Sequence, residues 1–595
     1  MAAPLGPTAS PADPGSLLQT PSHHDTAEKT SPTVVKEADK FTHSLRIWLV
    51  FLVLCLLSFI SAIDATIITT SLPTITHSLN HGSPASSNDY VWIANTYLFA
   101  STAPQPFFGQ ISNIFGRRNP MLVSIALFAL GSGIAGGASS VAMLIAGRTV
   151  QGLGTGGLYV LSDIIICDMI PPRHRGPYLS AVLSTAAIGT TIGPIIGGAL
   201  ARADWRWIFW LNLPVSAVGF VVVLLLLRVR YQSLGWGEVL RRVDWVGNGL
   251  FIPSMVSLFF GLIMGGTRGY PWKSEKVVVP IVVGVAGWVA FHVHQSAEGK
   301  RWGPVEPSMP MRLFKHRTSA AGFVIIFFGG VVLQAISYFL PVYFQGVLGV
   351  SPLTAGVYFL PFALAIIPLG GMTGFFMSKT GLYIPLHFVG FAFSAIGVGL
   401  FSLLNENSST GTWVGFQILA SAGTAVIFTA TLPSTLAPLQ EKDVGVATGT
   451  YSFVRSFGLV WGVTMASIVF NGQFNTRLES NPVLSRELKS FLADGAAYAF
   501  VSASEAEGGI RSLPADIRSA LIGIYVHALN AVWYVIVGMA GLGFLATFVE
   551  KHVPLRKEHE TEFGLVSKGE SSSDDAAEKG QTPRPASDGE ARTKQ

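Results

Sequence analysis

The sequence has little charge, almost no cysteine, and neither a nucleotide-binding nor a zinc-hydrolase signature. Among its 595 residues, 39 are Lys or Arg and 34 are Asp or Glu, 12% of the chain. Soluble domains carry roughly 25%. Seventeen of these charges lie in the last 45 residues, between Lys551 and Lys594, so the rest of the chain is poorer still. A water-facing surface cannot be assembled from such a chain, which excludes soluble enzymes, nucleic-acid binders and fibrous proteins. The two cysteines, Cys55 and Cys167, both sit in apolar runs. That excludes a disulfide framework and leaves two small buried apolar residues. No G-x-x-x-x-G-K-[ST] and no H-E-x-x-H occurs, so neither a P-loop nor that type of metal site is expected. Gly152-Leu153-Gly154-Thr155-Gly156-Gly157 fits G-x-G-x-x-G, but it lies inside an apolar span, not between a strand and a soluble helix. His292 and His294 share only a membrane edge. No cofactor, no metal and no enzymatic activity are expected.

What is present is apolar length. Hydrophobic residues make up 50% of the chain and mean hydropathy is +0.49. A spanning helix needs about 20 apolar residues, and fourteen segments qualify: 46–72, 91–112, 121–139, 141–164, 178–200, 207–228, 245–265, 277–295, 319–345, 354–376, 383–404, 412–435, 445–470 and 521–549. The fold class is therefore an all-α membrane protein. Residues 1–45 are polar and lack the parts of a signal peptide. They are predicted to be a disordered cytoplasmic tail, as are residues 550–595. Lys and Arg favour the loops that share a side with the N-terminus, such as Arg117, Arg173, Arg241 and Arg312, over the opposite loops. That orientation puts both termini in the cytoplasm, with a long outer loop at 471–520. Asn407-Ser408-Ser409 falls in an outer loop and offers a glycosylation sequon.

Charged residues inside the spans are few, so each is a candidate site. Asp64 lies in the middle of the first span. A carboxylate there must be protonated, paired or facing a water-filled cavity, which suits either proton coupling or a structural tie. The fourth span carries Arg148, Gln151 and Asp163. At 100° per residue all three fit within one 120° stripe, which could line a cavity. Arg148 and Asp163 are about 22 Å apart along the axis and cannot pair with each other, so each needs a partner from another helix. Asp64 is one candidate partner for Arg148, and Arg455 is one for Asp163. In the fifth span Gly189, Gly193 and Gly197 recur every four residues, which allows close helix approach; Pro194 removes a hydrogen bond and bends the helix. The stripe suits either two bundles rocking on each other or ordinary tight packing. Gly109, Gly116, Arg117 and Arg118 make a short basic turn after the second span.

These motifs together resemble the major facilitator superfamily, specifically its fourteen-helix drug:proton antiporter branch. Asp64-Ala65-Thr66-Ile67 through Leu72-Pro73 is similar to that branch's D-x-T-[IV]-x-x-x-x-L-P. Arg148-Thr149-Val150-Gln151-Gly152-Leu153-Gly154 is similar to R-x-x-Q-G-x-G. The run 189–198, including Gly197-Gly198, is similar to G-x-x-x-G-P-x-x-G-G. Trp205-Arg206-Trp207 through Asn212-Leu213-Pro214 resembles the start of the sixth helix. The loop departs from the family's G-x-L-x-D-R-x-G-R-[RK]: Asn113 stands where Asp is usual and Ile114 where Arg is usual. The texture also resembles fungal multidrug and toxin efflux pumps.

The resemblance implies two six-helix bundles, 46–228 and 301–549, with an inserted helix pair at 229–300. It implies a proton-coupled antiporter that exports amphipathic drugs, toxins or secondary metabolites by alternating access, from a pocket between the bundles near the midplane. The proton gradient would supply the energy. Asp64, Asp163 and Arg148 are the proton-coupling candidates. Asn95, Gln105, Gln151, Gln334, Tyr338, Arg455 and Trp461 are the candidate cavity walls. The expected setting is the plasma membrane, as a monomer whose partners are lipid, protons and a small-molecule substrate. Alternatives on the same fold are an importer or vacuolar transporter of basic amino acids, and a siderophore transporter.

Overall fold

The computed structural model describes residues 44–79, 87–227, 235–266, 269–301, 305–493, 495–503, 510 and 513–555. The two predicted tails lie outside the described residues, except for Ser44, Leu45 and the stretch 550–555.

Among the described residues the chain is helical, and the single β-bridge joins Val243 to Glu306. The first half contains α1 (Leu45–Leu79), α2 (Ser87–Thr102), α3 (Gln105–Phe115), α4 (Arg118–Gly136), α5 (Val141–Met169), α6 (Arg175–Ala203), α7 (Trp207–Trp210) and α8 (Asn212–Leu226). Then come α9 (Trp236–Arg242), α10 (Trp245–Met264) and α11 (Glu275–Arg301). The second half contains α12 (Arg317–Gly346), α13 (Pro352–Thr380), α14 (Ile384–Phe401), α15 (Thr410–Leu436), α16 (Val444–Ser480), α17 (Arg486–Leu492), α18 (Ala496–Ala503) and α19 (Ala515–Thr547).

Among the described residues, thirteen helical segments are long and apolar enough to cross a membrane, α7 and α8 together making one of them. The fourteenth predicted span, 91–112, is broken into α2 and α3. Pro104 sits at the break and Pro106 in the first turn of α3, and proline cannot donate to the helical ladder. Two main-chain bonds, Ala103 N to Phe99 O and Phe108 N to Pro104 O, both 3.1 Å, carry the chain across. The separation of α4 from α5 falls at Gly137–Ser140 as the sequence suggests, and the Ser140 hydroxyl caps α5 by accepting from Met143 N at 3.2 Å, a standard N-cap arrangement.

Loop contacts assign two ends to the bundle. Arg117, Arg173, Arg312, Asp443 and Glu550 lie at the end where α1 begins, called here the terminal end. The connections α4–α5 and α14–α15 lie at the other. Outward-facing valines such as Val282, Val289 and Val293 on α11 are exposed, as an apolar solvent requires.

Inside, α1 packs along α6, α4 along α5, α12 along α16, and α14 along α15 and α19. Contacts between the halves run chiefly through α6 against α13 and α3 against α16. The pair α10 and α11 packs together and leans on α2 and α16, where Phe99, Phe251, Phe259 and Phe453 share one apolar cluster.

Candidate functional site

The first polar centre is closed. Asp64 and Arg148 are both 0% exposed. Arg148 Nη1 stands 2.5 Å from Asp64 Oδ2 and donates to Gln151 Oε1 at 2.8 Å. The other carboxylate oxygen, Asp64 Oδ1, accepts from the Gln151 and Asn212 amides, each at 2.8 Å. Both amides also donate to the Ser132 hydroxyl, at 2.7 and 3.1 Å. The guanidinium lies 4.1 Å from the Tyr97 ring centroid, within cation–π range. The Tyr97 hydroxyl donates to Ser61 O or Thr155 Oγ1, both at 3.0 Å. This network ties α1, α2, α4, α5 and α8 together. A buried charge survives only when paired and hydrogen-bonded, and this one has both. Asn212, Ser132 and Tyr97 were not expected as partners, although Asn212 belongs to the tryptophan-rich run at the start of the sixth span.

The second centre is open. A cavity of about 370 Å³ lies between α1, α5 and α6 on one side and α12, α13, α15 and α16 on the other. Asp163 reaches it from α5 and Arg455 from α16, with Arg455 Nη2 3.4 Å from Asp163 Oδ2. Ser452 donates to the same oxygen at 3.3 Å. Gln334, Ser337, Tyr338, Tyr159 and Tyr451 add polar atoms, while Phe359, Phe362, Phe428, Leu432 and Val182 form apolar wall.

Three of the expected wall residues, Gln334, Tyr338 and Arg455, are there. Four stand elsewhere. Gln151 is consumed by the Asp64 network. Gln105 exchanges hydrogen bonds with Ser456 at 3.2 Å, where α3 meets α16. Trp461 packs beside Phe457 in the cluster around α10. Asn95 is half-buried on α2 and does not line the cavity. The stripe on α5 therefore divides: Arg148 and Gln151 point into one half, and only Asp163 points at the cavity.

The third feature is a tight seam at the terminal end. A methyl on Gly109 would stand 2.9 Å from Gly445 O and 3.0 Å from Gly449 Cα, so α3 and α16 meet backbone to backbone. Gly116 has φ 76° and turns the chain out of α3, a conformation that favours glycine. Arg117 is buried, pairs with Asp168 at 2.7 Å and donates to Ser112 O at 2.6 Å and Asn113 Oδ1 at 3.0 Å. The Asn113 amide donates across the seam to Lys442 O at 3.1 Å. Arg118 donates to Leu224 O at 2.5 Å. A second crossing joins Arg173 to the carbonyls of Ser378 and Lys379, both at 2.5 Å, and a methyl on Gly374 would stand 2.5 Å from Pro177 N.

The glycine stripe of α6 does not form this seam. Methyls on Gly189, Gly193 and Gly197 would stand 2.6 Å from Phe59 O, 2.1 Å from Thr66 Oγ1 and 2.1 Å from Ile67 O. All three contacts are on α1, so the stripe serves tight packing within one half. Gly198 is half-buried on the same helix, which runs on through Pro194. Asn407 lies in the exposed α14–α15 turn. Among the described residues no group of His, Cys, Asp and Glu is placed to hold a metal ion.

The profile described as Major Facilitator Superfamily matches residues 54–463. The chain is 44% identical over 526 residues to the MFS efflux transporter aclA of Aspergillus oryzae, covering 88% of this chain and 92% of that protein. It is 40% identical over 561 residues to the MFS-type efflux pump LUC4 of a Fusarium species, covering 94% and 96%. It is 42% identical over 540 residues to the efflux pump FUS6 of Gibberella fujikuroi, covering 90% and 94%. Among solved structures, a double Trp mutant of XylE superimposes with a TM-score of 0.54 at 15% identity, covering 87% of this chain and 97% of that one. That likeness concerns the fold alone. The chain belongs to the major facilitator superfamily and is a multi-pass membrane transporter.

Proposed function

We propose that this chain is a proton-coupled antiporter that exports amphipathic organic compounds of the secondary-metabolite or toxin class. The direction rests on its similarity to fungal efflux pumps. In this reading 46–228 and 301–549 are the two moving bundles and 229–300 is an inserted pair. Both termini are cytoplasmic, Asn407 is glycosylated outside, and a monomer in the plasma membrane is the working unit.

One observation carries the coupling: the Asp163–Arg455 pair at 3.4 Å faces the cavity and crosses from α5 to α16. A proton arriving at Asp163 cancels the carboxylate charge and severs that bond between the halves. The balance between inward- and outward-facing forms then shifts by the energy of the lost interaction. Asp64 is a poorer carrier, because three polar side chains bond it and the Tyr97 ring covers its partner Arg148. Its role is to hold the first half rigid.

The terminal-end seam closes the cavity on the side proposed as cytoplasmic, which corresponds to an outward-facing form. Opening would part Gly109 from Gly445 and Gly449, and Arg173 from Ser378. The test is transport of a labelled amphipathic compound in proteoliposomes carrying an imposed pH gradient. Antiport predicts substrate movement against the proton flux. Movement with the proton flux would make the protein an importer instead.

A further inference from the structure

We propose that Arg455 sets the charge selectivity of the cavity, admitting neutral and acidic amphipathic molecules and refusing organic cations. This rests on the reading of the cavity as the substrate site. Of the 25 residues lining it, Asp163 and Arg455 alone are charged. The pair is not symmetric. Asp163 is 9% exposed and accepts from two donors, Arg455 and Ser452. Arg455 is 20% exposed and spends one nitrogen on Asp163 at 3.4 Å. It also lies 5.8 Å from the Tyr451 ring centroid and within electrostatic reach of Tyr159. A guanidinium carries five N–H donors, so most of them have no protein acceptor among the described residues. Both groups line the cavity, and the guanidinium is the more exposed of the two.

The other deep charges do not alter this sign. Asp64 is neutralised by Arg148 and does not line the cavity. Asp168 is neutralised by Arg117. A ligand therefore meets unused cationic donors in a wall whose other polar groups, such as Gln334, Ser337 and Tyr338, are uncharged. A carboxylate, phenolate or enolate can accept two of those N–H groups at once, and a neutral carbonyl can accept one. A fixed cation meets only like charge in a poorly screened site. The phenylalanines at 359, 362 and 428 take the apolar body, and about 370 Å³ suits one drug-sized molecule.

Tetraphenylborate and tetraphenylphosphonium test this directly, because they share shape and differ in sign. Saturable binding to the purified full chain is measured above micelle partition by equilibrium dialysis. The wild type is expected to bind the borate about tenfold or more tighter than the phosphonium. Arg455→Gln leaves Asp163 as the lone lining charge and should reverse the order. Arg455→Lys keeps the cation and should keep the wild-type order. Adding Asp163→Asn to Arg455→Gln should level the two ions. An unchanged order in Arg455→Gln, or a wild type that prefers the phosphonium or does not discriminate, overturns the charge filter and leaves the cavity as the substrate site. Absence of saturable binding of either ion in every variant overturns both.

Discussion

Arg148 Nη1 lies 2.5 Å from Asp64 Oδ2 with neither side chain exposed, so the first half of the transporter is built around a charge pair that water does not reach. Such pairs are costly to break from one side, because the survivor is left as an uncompensated buried charge. Asp64→Asn and Arg148→Gln are each expected to lower stability by about 3–5 kcal/mol. The double variant should recover part of that loss. Thermal unfolding in detergent, followed by size-exclusion chromatography, measures it. A wild-type melting temperature for Asp64→Asn would show that Asp64 does not hold the fold.

Asp163 should behave in the opposite way. It has two weak partners and lies on the cavity wall, so Asp163→Asn is expected to keep the melting temperature within a few degrees. Transport by this variant should lose its response to an imposed pH gradient, while exchange of labelled for unlabelled substrate continues. Proteoliposomes assayed with and without the gradient separate the two rates. A preserved gradient response would move the proton to another group.

Much of this was legible in the sequence because a bilayer constrains the chain more than water does. Apolar length located the spans, and scarcity of charge located the sites. The 22 Å separation along one helix pointed Arg148 and Asp163 to partners elsewhere, and the structure supplies Asp64 and Arg455. The wall residues were less legible. Gln105 and Gln151 are polar and lie in spans, but so does any residue that ties two helices together. Only the rotation of each helix decides between a tie and a wall. The break at Pro104 was hidden because apolar composition runs straight through it. The α6 glycines announced close approach without naming the neighbour, which proves to be α1.

That α1–α6 contact gives a third prediction. A methyl on Gly197 would stand 2.1 Å from the Ile67 carbonyl oxygen, so one of the two backbones must move. Gly197→Ala is expected to reduce the yield of folded protein severalfold. Gly133→Ala on α4 has open space around it and should be neutral or slightly stabilising, since alanine is the better helix former. Fluorescence-detected size-exclusion chromatography of the two variants compares them. Equal yields would show that α1 and α6 can separate without cost.

The seam at the terminal end gives the last prediction, and it concerns the one motif that departs from the family pattern. Asn113 uses both ends of its amide: Oδ1 accepts from Arg117 at 3.0 Å, and the amide donates to Lys442 O at 3.1 Å across the seam. An aspartate can serve Arg117 equally well, but its second oxygen would face the Lys442 carbonyl with no proton between them. Asn113→Asp, which restores the residue usual in the family, should therefore loosen the closed seam. Asn113→Ala should loosen it too, by losing both bonds. The bond to Lys442 O is exposed, so its loss costs about 0.5–1.5 kcal/mol, roughly a twofold or greater rise in the open population. A cysteine at Ser112, which is buried in the seam, reports it through its rate of thiol labelling after Cys55 and Cys167 are replaced by alanine. Faster labelling in both variants is the expected result. Slower labelling in Asn113→Asp would mean that the aspartate finds a donor across the seam and that the amide is not what holds α3 to α16.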